Sequence, residues 1–327
     1  MPNNVFKASK LNLYLIIKQQ FMKRRNFLSA VATTGFAASV FPNTNFMKLN
    51  LKSNLKISLA QWSLNKSIKK GKLSILDFAK KARSFDIKGI EFVSGLYTRD
   101  TDILERISMN SLAKELIKRS DDYGIDNVLF MIDNQGDLAS SNKTDRLQAI
   151  ENHKRWIDFS TEIGCKTMRV NLNGEKDLDK WTENSVKSLT TLNEYNKKMN
   201  VVVENHGGLS SNGKYLSNVM SKVKLENCGT LPDFGNFCMN GSPWGNCTQM
   251  YDRYLGTEEL MPYAHAVSAK SFDFDDEGNE TSIDYKRMMD IVKKAKYKGY
   301  VGIEYEGNRL SEDDGIIATK KLLEKYI

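Results

Sequence analysis

Charged side chains end four apolar runs in the second half of the chain. Glu204 closes the run 201–203, and Asp233, Lys270 and Glu304 each follow three or more mostly apolar residues. One such residue usually lies in a solvated loop, whereas four at consecutive run ends indicate a shared site. Carboxylates and an amine can exchange protons with a substrate, and carboxylate oxygens bind hard divalent cations.

Strand periodicity sorts these charges into faces. Side chains at i and i+2 of a strand point the same way, which pairs Glu204 with His206 and Glu304 with Glu306. We therefore expect Glu204, Asp233 and Glu304 to converge on one divalent ion, with His206 as a further candidate ligand. This oxygen-rich set favours Mn²⁺, with Mg²⁺ and Co²⁺ left open, over a structural zinc site.

Other polar or aromatic residues near the run ends are candidates for binding a substrate. They are Gln61, Trp62, Asn171, His206, Asn236 and Glu306. Trp62 could stack on a sugar ring, as could Trp244, although core packing explains either tryptophan equally well. We interpret His153, in the middle of a helical pattern, and His265 as structural residues.

These candidates need a scaffold that brings run ends together, and the pattern of the chain supplies one. Short β-branched runs alternate eight times with amphipathic segments after residue 54. The predicted strands are 57–61, 88–93, 127–132, 167–171, 201–205, 229–233, 266–272 and 300–305. The predicted helices are 74–85, 112–123, 143–163, 181–199, 215–223, 249–260, 284–295 and 313–326.

Eight strand–helix units predict an α/β fold, a single (β/α)₈ TIM barrel over residues 55–327. Barrels of this kind carry their sites at the carboxyl ends of the strands, where the charged residues fall. No G-x-G-x-x-G follows the first strand, so we expect no nucleotide cofactor.

Three motifs resemble the xylose isomerase-like superfamily, and more closely its sugar phosphate isomerase/epimerase group. They are VVVENHGG at 201–208, LPDFGNF at 231–237 and GIEYEG at 302–307. The likeness covers roughly residues 55–327. It implies a TIM barrel that acts on sugars, with a divalent metal held by Glu204, Asp233 and Glu304.

The resemblance breaks at strand seven. The family has His-x-Lys there, whereas Ser268 stands in the histidine place and Lys270 is retained. His265 lies three residues earlier and would face the other way in a regular strand. A ligand from His206, a shell completed by water, and weakened metal binding all stay open.

The expected reaction is proton abstraction next to a carbonyl of a sugar, keto-sugar or inositol derivative, through an enediolate. Glu204 and Glu304 would act as base and acid, and Lys270 would stabilise the developing oxyanion. The nearest alternative is a lyase or dehydratase that eliminates from a keto-sugar or 3-keto-glycoside. A non-catalytic sugar-binding barrel is a further alternative. An endonuclease of the same fold needs a histidine-rich zinc cluster, and the chain has only three histidines.

The net charge of +8 comes mostly from the beginning of the chain. Residues 1–40 hold six basic and no acidic residues, which leaves +2 on the other 287, so we expect no nucleic-acid partner. The segment 22–29, MKRRNFLS, precedes a mildly apolar stretch and resembles a twin-arginine export signal. We expect a leader over residues 1–40 (with Met22 as a candidate start), a linker over 41–54, the twin-arginine export machinery as partner and a periplasmic location.

Cysteine usage is low for a disulfide-rich scaffold. Cys165, Cys228, Cys238 and Cys247 form no C-x-x-C pair. Cys238 and Cys247 could pair after export, but buried free thiols are the favoured interpretation. No run of 18 apolar residues exists, so no membrane span is expected. A homo-oligomer is left open, as is the identity of the sugar.

Overall fold

Eight parallel strands form one curled sheet, and two short strands form a separate hairpin. The computed structural model describes residues 54–241 and 245–327; the predicted leader, nearly all of the predicted linker and Trp244 lie outside them. In chain order the strands are β1 (Lys56–Ala60), β2 (Gly89–Val93), β3 (Asp126–Met131), β4 (Thr167–Val170), β5 (Asn200–Glu204), β6 (Cys228–Leu231), β7 (Cys238–Asn240), β8 (Gln249–Met250), β9 (Val267–Ser271) and β10 (Tyr300–Tyr305). Their order in the large sheet is β6-β5-β4-β3-β2-β1-β10-β9.

The sheet curls until β6 meets β9. Ser268 donates its backbone N–H to the carbonyl of Pro232 (3.0 Å), and Phe234 donates to the carbonyl of Ser268 (3.1 Å). A parallel bridge between Asp233 and Ser268 lies at the same point. This is the architecture of a (β/α)₈ barrel, as predicted, and the closing seam falls at two residues of the candidate site.

Helices follow the strands and cover the outside of the sheet. They are α1 (Asn65–Lys69), α2 (Phe78–Ser84), α3 (Ser94–Thr98), α4 (Ile103–Arg106), α5 (Met109–Tyr123), α6 (Lys143–Glu162), α7 (Leu178–Tyr195), α8 (Gly213–Val223), α9 (Arg253–Leu260), α10 (Tyr285–Lys294) and α11 (Glu312–Tyr326). Side chains cap the helix starts, as where Asn142 Oδ1 accepts from the N–H of Thr144 at 2.9 Å. Among the described residues, no helix is long and apolar enough to cross a bilayer.

The amphipathic pattern of α6 packs against the sheet as its spacing predicts. Trp156 and Phe159 of α6 meet Phe130 of β3, with ring centroids 5.3 and 5.7 Å apart, and Phe130 stacks on Phe92 of β2 at 5.4 Å. His153 lies on the same buried face, with Nδ1 2.7 Å from the carbonyl oxygen of Ala149. This histidine is therefore a core residue.

The prediction of a helix over residues 249–260 is wrong in its first turn. The helix begins at Arg253, and Gln249–Met250 instead forms β8, which pairs antiparallel with β7. The apolar periodicity of this segment does not decide its conformation, because Met250 pairs with Cys238 in the β7–β8 ladder.

The same hairpin corrects the prediction that all four cysteines are free. Cys238 and Cys247 form a disulfide, with Cα atoms 5.8 Å apart. The antiparallel pairing of β7 with β8 brings the two residues within bonding range, which their spacing in sequence does not reveal. Cys165 and Cys228 are buried free thiols, as expected.

Candidate functional site

Three carboxylates converge at the carboxyl ends of the strands. Glu204 ends β5, Asp233 follows β6 and Glu304 lies near the end of β10. Each offers an oxygen within 4.8 Å of the others, and the three residues are 2, 0 and 5 % exposed. Parallel strands deliver their carboxyl ends to one rim, so residues 100 positions apart in sequence meet there.

Asp233 and Glu204 each have one carboxylate oxygen that accepts hydrogen bonds from backbone or side-chain amides. Asp233 Oδ1 accepts from the N–H groups of Gly235 (2.8 Å) and Asn236 (2.7 Å). Asn236 Nδ2 donates to Glu204 Oε1 at 2.9 Å. Asn205 Oδ1 accepts the N–H of Asp233 at 2.7 Å. The loop after β6 thus fixes both side chains and leaves their second oxygens for the centre of the cluster.

Ser268 of β9 lies between Asp233 and Glu304, two of the three clustered carboxylates. Its Oγ is 2.7 Å from Asp233 Oδ2 and 2.8 Å from Glu304 Oε2. His265 lies three residues earlier, against Gly229 on β6. Ser268, and not His265, is the residue that faces the carboxylates, as the strand period predicts.

Lys270 is buried beside the same carboxylates. Its Nζ lies 3.6 Å from Asp233 Oδ2, 3.7 Å from Glu304 Oε2 and 3.4 Å from Glu306 Oε1. Burial by itself lowers the pKa of Lys270, but Asp233, Glu304 and Glu306 outweigh it and hold that pKa well above its usual value. Burial raises the pKa of Asp233 and of Glu304, against the opposing charge of Lys270.

Arg169 is a site residue that the sequence analysis missed. It lies on β4, 4 % exposed, with Nη1 2.6 Å from Asp133 Oδ1 and Nε 2.9 Å from Glu204 Oε2. Burial raises the pKa of Asp133, but Arg169 and a hydrogen bond from Asn171 more than offset this, so that pKa lies below its usual value. The available signal was an arginine inside an otherwise apolar strand, which requires a buried anionic partner.

A cavity of about 240 Å³ opens beside the cluster. Of the predicted substrate-binding residues, Trp62, Asn171, His206 and Glu306 line it, together with Glu304. The remaining lining residues are not among the predicted substrate-binding residues; they are Val93, Arg99, Met131, Asp133, Asn134, Arg169 and Asn173. Such a volume suits a monosaccharide-sized ligand.

Two predicted substrate-binding residues lie away from the cavity wall. Gln61 is fully buried, donates to the Tyr97 hydroxyl at 3.0 Å and accepts the N–H of Val93 at 3.3 Å. Asn236 is 3 % exposed and donates to Glu204. In the structure both side chains hold neighbouring parts of the site in place.

The indole of Trp62 lines the cavity, and its ring contacts Lys69, which belongs to a network of charged side chains. Lys69 Nζ lies 4.2 Å from the ring centroid and 3.6 Å from Asp100, which also pairs with Arg99 Nε at 2.9 Å. Aromatic rings next to polar groups commonly bind the apolar face of a sugar.

Another carboxyl group lies deeper in the barrel. Ser58 Oγ donates to Glu91 Oε1, and burial raises the pKa of Glu91 to about 7. A Cβ on Gly302 would collide with the Glu91 carboxylate. The glycine two residues before Glu304 therefore makes room for this buried acid.

The donor set fits a divalent cation. Five carboxylates (Asp133, Glu204, Asp233, Glu304 and Glu306) surround two cations, Arg169 and Lys270. Glu204 Oε2 is buried and accepts no hydrogen bond among the described residues; Arg169 Nε is close to it but out of line. An excess of buried negative charge is costly, and a hard cation bound by the three clustered carboxylates would offset it. His206 lies on the cavity wall, outside that cluster.

The curled eight-stranded sheet with an acidic cluster at its carboxyl rim defines an α/β barrel with a candidate metal centre. The model of the xylose isomerase-like TIM barrel family matches residues 79–326. The chain belongs to this family.

Solved structures share the fold at low sequence identity. A D-tagatose 3-epimerase-like protein aligns with a TM-score of 0.61 and 17 % identity, over 83 % of this chain and 96 % of that one. The IOLI protein, with a bound zinc atom, aligns with a TM-score of 0.63 and 13 % identity, over 83 % and 99 %. These likenesses show the fold.

A curated relative matches over a short segment. It is the alpha subunit of a C-glycoside deglycosidase from Arthrobacter globiformis, 38 % identical over 66 residues. The match covers 19 % of each chain, so this chain spans about a fifth of the length of that relative.

Proposed function

We propose that the protein is a divalent-metal-dependent sugar isomerase or epimerase. The observation that carries the proposal is the convergence of Glu204, Asp233 and Glu304 beside Lys270, next to a cavity of about 240 Å³ that Glu304 lines. Glu204, Asp233 and Glu304 would hold the ion, which supplies polarisation of a substrate carbonyl. Its identity is proposed as Mn²⁺ or Mg²⁺, on the donor chemistry.

The side chains divide the proton transfer between them. Glu304 lines the cavity, so it is placed to take the proton from the carbon next to the carbonyl. The electron pair of that C–H bond moves into an enediolate, whose oxyanion the Lys270 ammonium stabilises. Glu204 is the second carboxylate. A proton returned to the same carbon from the opposite face gives the epimer. A proton returned to the former carbonyl carbon, with transfer of the neighbouring hydroxyl proton to the former carbonyl oxygen, gives the isomer.

The cavity favours a neutral, polyhydroxylated substrate. Asp133, Glu304 and Glu306 face it, and its two arginines pair with carboxylates, Arg99 with Asp100 and Arg169 with Asp133. A phosphate would meet this acidic wall, whereas sugar hydroxyls can donate to it. His206, Asn171 and Trp62 are proposed to contact the sugar.

An elimination at the same site is the second candidate. It starts with the same proton abstraction, but the electron pair expels a group β to that carbon and gives an unsaturated ketone. The 38 % identical segment of the C-glycoside deglycosidase subunit favours this candidate, because that protein is named for cleaving a glycoside.

Solvent-deuterium exchange tests the proposal. The full chain, supplied with Mn²⁺, is incubated in D₂O with ketohexoses, inososes and 3-keto-glucosides, and NMR follows deuterium next to the carbonyl. We expect exchange with at least one class, and loss of about 10²–10⁴-fold in rate in Glu304→Gln. Asp290→Asn, on the exposed face of α10, is the matched control and should keep the wild-type rate.

The products separate the two candidates. Deuterium in an epimer or isomer supports the first, while an ultraviolet-absorbing enone with release of a leaving group supports the second. Absence of both across the whole panel would contradict an enzyme of either kind and leave the sugar-binding barrel.

We also propose that the chain is exported through the twin-arginine route to the periplasm. The basic segment 22–29 supports this, and so does the disulfide between Cys238 and Cys247, since such bonds persist in oxidising compartments.

A further inference from the structure

Two residues of β9, Ser268 and Lys270, reach the carboxylate cluster, and Ser268 is the one with an oxygen side chain. Its side chain is buried (1 % exposed), and its Oγ is within hydrogen-bonding distance of Asp233 Oδ2 and Glu304 Oε2, at 2.7 and 2.8 Å. Both carboxylates belong to the group of three whose oxygens lie within 4.8 Å of one another. The hydroxyl therefore lies beside the carboxylates that could hold a divalent ion.

The cluster contains oxygen donors alone among the described residues. Lys270 and Arg169 bring nitrogen close to it, but an ammonium and a guanidinium have no lone pair to offer a cation. His206 lies on the cavity wall and is not part of the cluster. Asn236 turns its NH₂ group toward Glu204, so it too brings a donor of hydrogen bonds and no ligand nitrogen.

We propose that Ser268 keeps the donor set of this centre entirely oxygen and so removes the preference for Zn²⁺ that a ligand nitrogen on β9 would confer. Imidazole nitrogen suits zinc, whereas carboxylate and hydroxyl oxygens suit Mg²⁺ and Mn²⁺. This inference rests on the metal centre of the proposed function.

The ratio of Zn²⁺ to Mn²⁺ affinity is the quantity to measure, since zinc has an intrinsic advantage at most sites. The full chain is stripped with a chelator and titrated with each ion, and with Mg²⁺, by calorimetry. We expect zinc to bind within about 30-fold of manganese in the wild type. In Ser268→His the ratio should rise by about tenfold or more.

Three variants serve as controls. Ser271→Ala removes a buried hydroxyl of the same strand that bonds Thr319 at 2.7 Å, away from the cluster. Ser268→Ala removes the hydroxyl without adding nitrogen, and His206→Ala removes the nearby imidazole. Each should leave the zinc-to-manganese ratio within about threefold of the wild type.

Several outcomes would overturn the inference. They are a wild-type preference for zinc above about 1,000-fold, an unchanged ratio in a folded Ser268→His protein, or a ratio that falls in His206→Ala. The wild-type and His206→Ala measurements stand even where Ser268→His does not fold. Failure to bind any of the ions would overturn the metal centre as well, whereas binding without exchange in D₂O would overturn the reaction alone.

Discussion

At the scale of single residues, Arg169 connects the cavity to the three-carboxylate cluster. One guanidinium faces Asp133, which lines the cavity, and Glu204, which belongs to the three-carboxylate cluster. Removing one partner of a buried ion pair leaves an uncompensated charge. The geometry of the cavity and the geometry of the three-carboxylate cluster therefore depend on the same side chain.

Buried His153 predicts a pH dependence of stability. Burial lowers its pKa from 6.5 to about 4, so the folded protein keeps the ring neutral while the unfolded chain takes up a proton. Its contribution is complete above about pH 6.5 and is lost as the pH falls toward 4. We expect the free energy of unfolding of the wild type, relative to His153→Gln, to fall by roughly 3 kcal/mol between pH 7 and 4.

Urea titrations of both proteins across that range measure the difference. The comparison with the variant is needed because Glu91, with its pKa raised to about 7, acts with the opposite sign. Its contribution to stability is present at low pH and is lost as the pH rises from about 4.5 toward 7. A difference that stays constant with pH would show that His153 does not titrate as its burial requires.

At the scale of elements, the β7–β8 hairpin follows the loop that holds the carboxylates of Asp233 and Glu204. Phe237 lies between Asn236, which donates to Glu204, and Cys238, the first residue of β7. The disulfide to Cys247 closes this hairpin with a separation of nine residues. A cross-link of this size restricts the unfolded chain and the open hairpin alike.

We therefore expect reduction of the disulfide to destabilise the protein. Closing a loop of this length contributes roughly 2–3 kcal/mol in the chain-entropy description. Urea unfolding with and without reductant should show this loss in the wild type. The variant Cys238→Ser/Cys247→Ser is the control; it should start from the lower stability and not respond to reductant. An equal response of both proteins would place the effect elsewhere.

At the scale of the whole molecule, the charge is unevenly distributed along the chain. Six basic residues in positions 1–40 supply most of the excess of +8. The remaining +2 comes from Lys48 and Lys52 of the predicted linker, so residues 55–327, which form the barrel, carry no net charge. The clustered charges at the rim of that barrel are buried carboxylates. Most of the net charge thus lies in residues 1–40, whereas the clustered carboxylates at the rim of the barrel are buried.

The export proposal has a direct test at this scale. In the full chain, Arg24→Lys/Arg25→Lys keeps the charge but removes the arginine pair, and we expect the protein to accumulate in the cytoplasmic fraction. Lys10→Arg/Lys18→Arg is the matched control and should reach the periplasm as the wild type does. Equal export of both variants would contradict the twin-arginine route.

The arrangement of elements followed from local pattern, and the errors came where tertiary contacts intervene. Alternating β-branched and amphipathic segments predicted the eight barrel strands, because a strand buried on both sides and a helix with one buried face leave distinct periodicities. Residues 249–252 were misassigned, since an antiparallel partner and a disulfide decide their conformation. The helices α1, α3 and α4, which carry or flank Lys69 and Arg99, have only four or five residues. Segments of this length are too short to show a helical period in the sequence.

The sequence by itself determined the fold class and the acidic residues at the strand ends, because the pattern that indicates each strand or helix lies within a short segment of the chain. Only the tertiary structure decided that Arg169 joins Asp133 to Glu204, that Ser268 lies between two carboxylates, and that Gln61 and Asn236 brace other groups. These contacts span 32 to 36 positions of sequence. They depend on the closure of the barrel, which sets the distances between strands that no local pattern encodes.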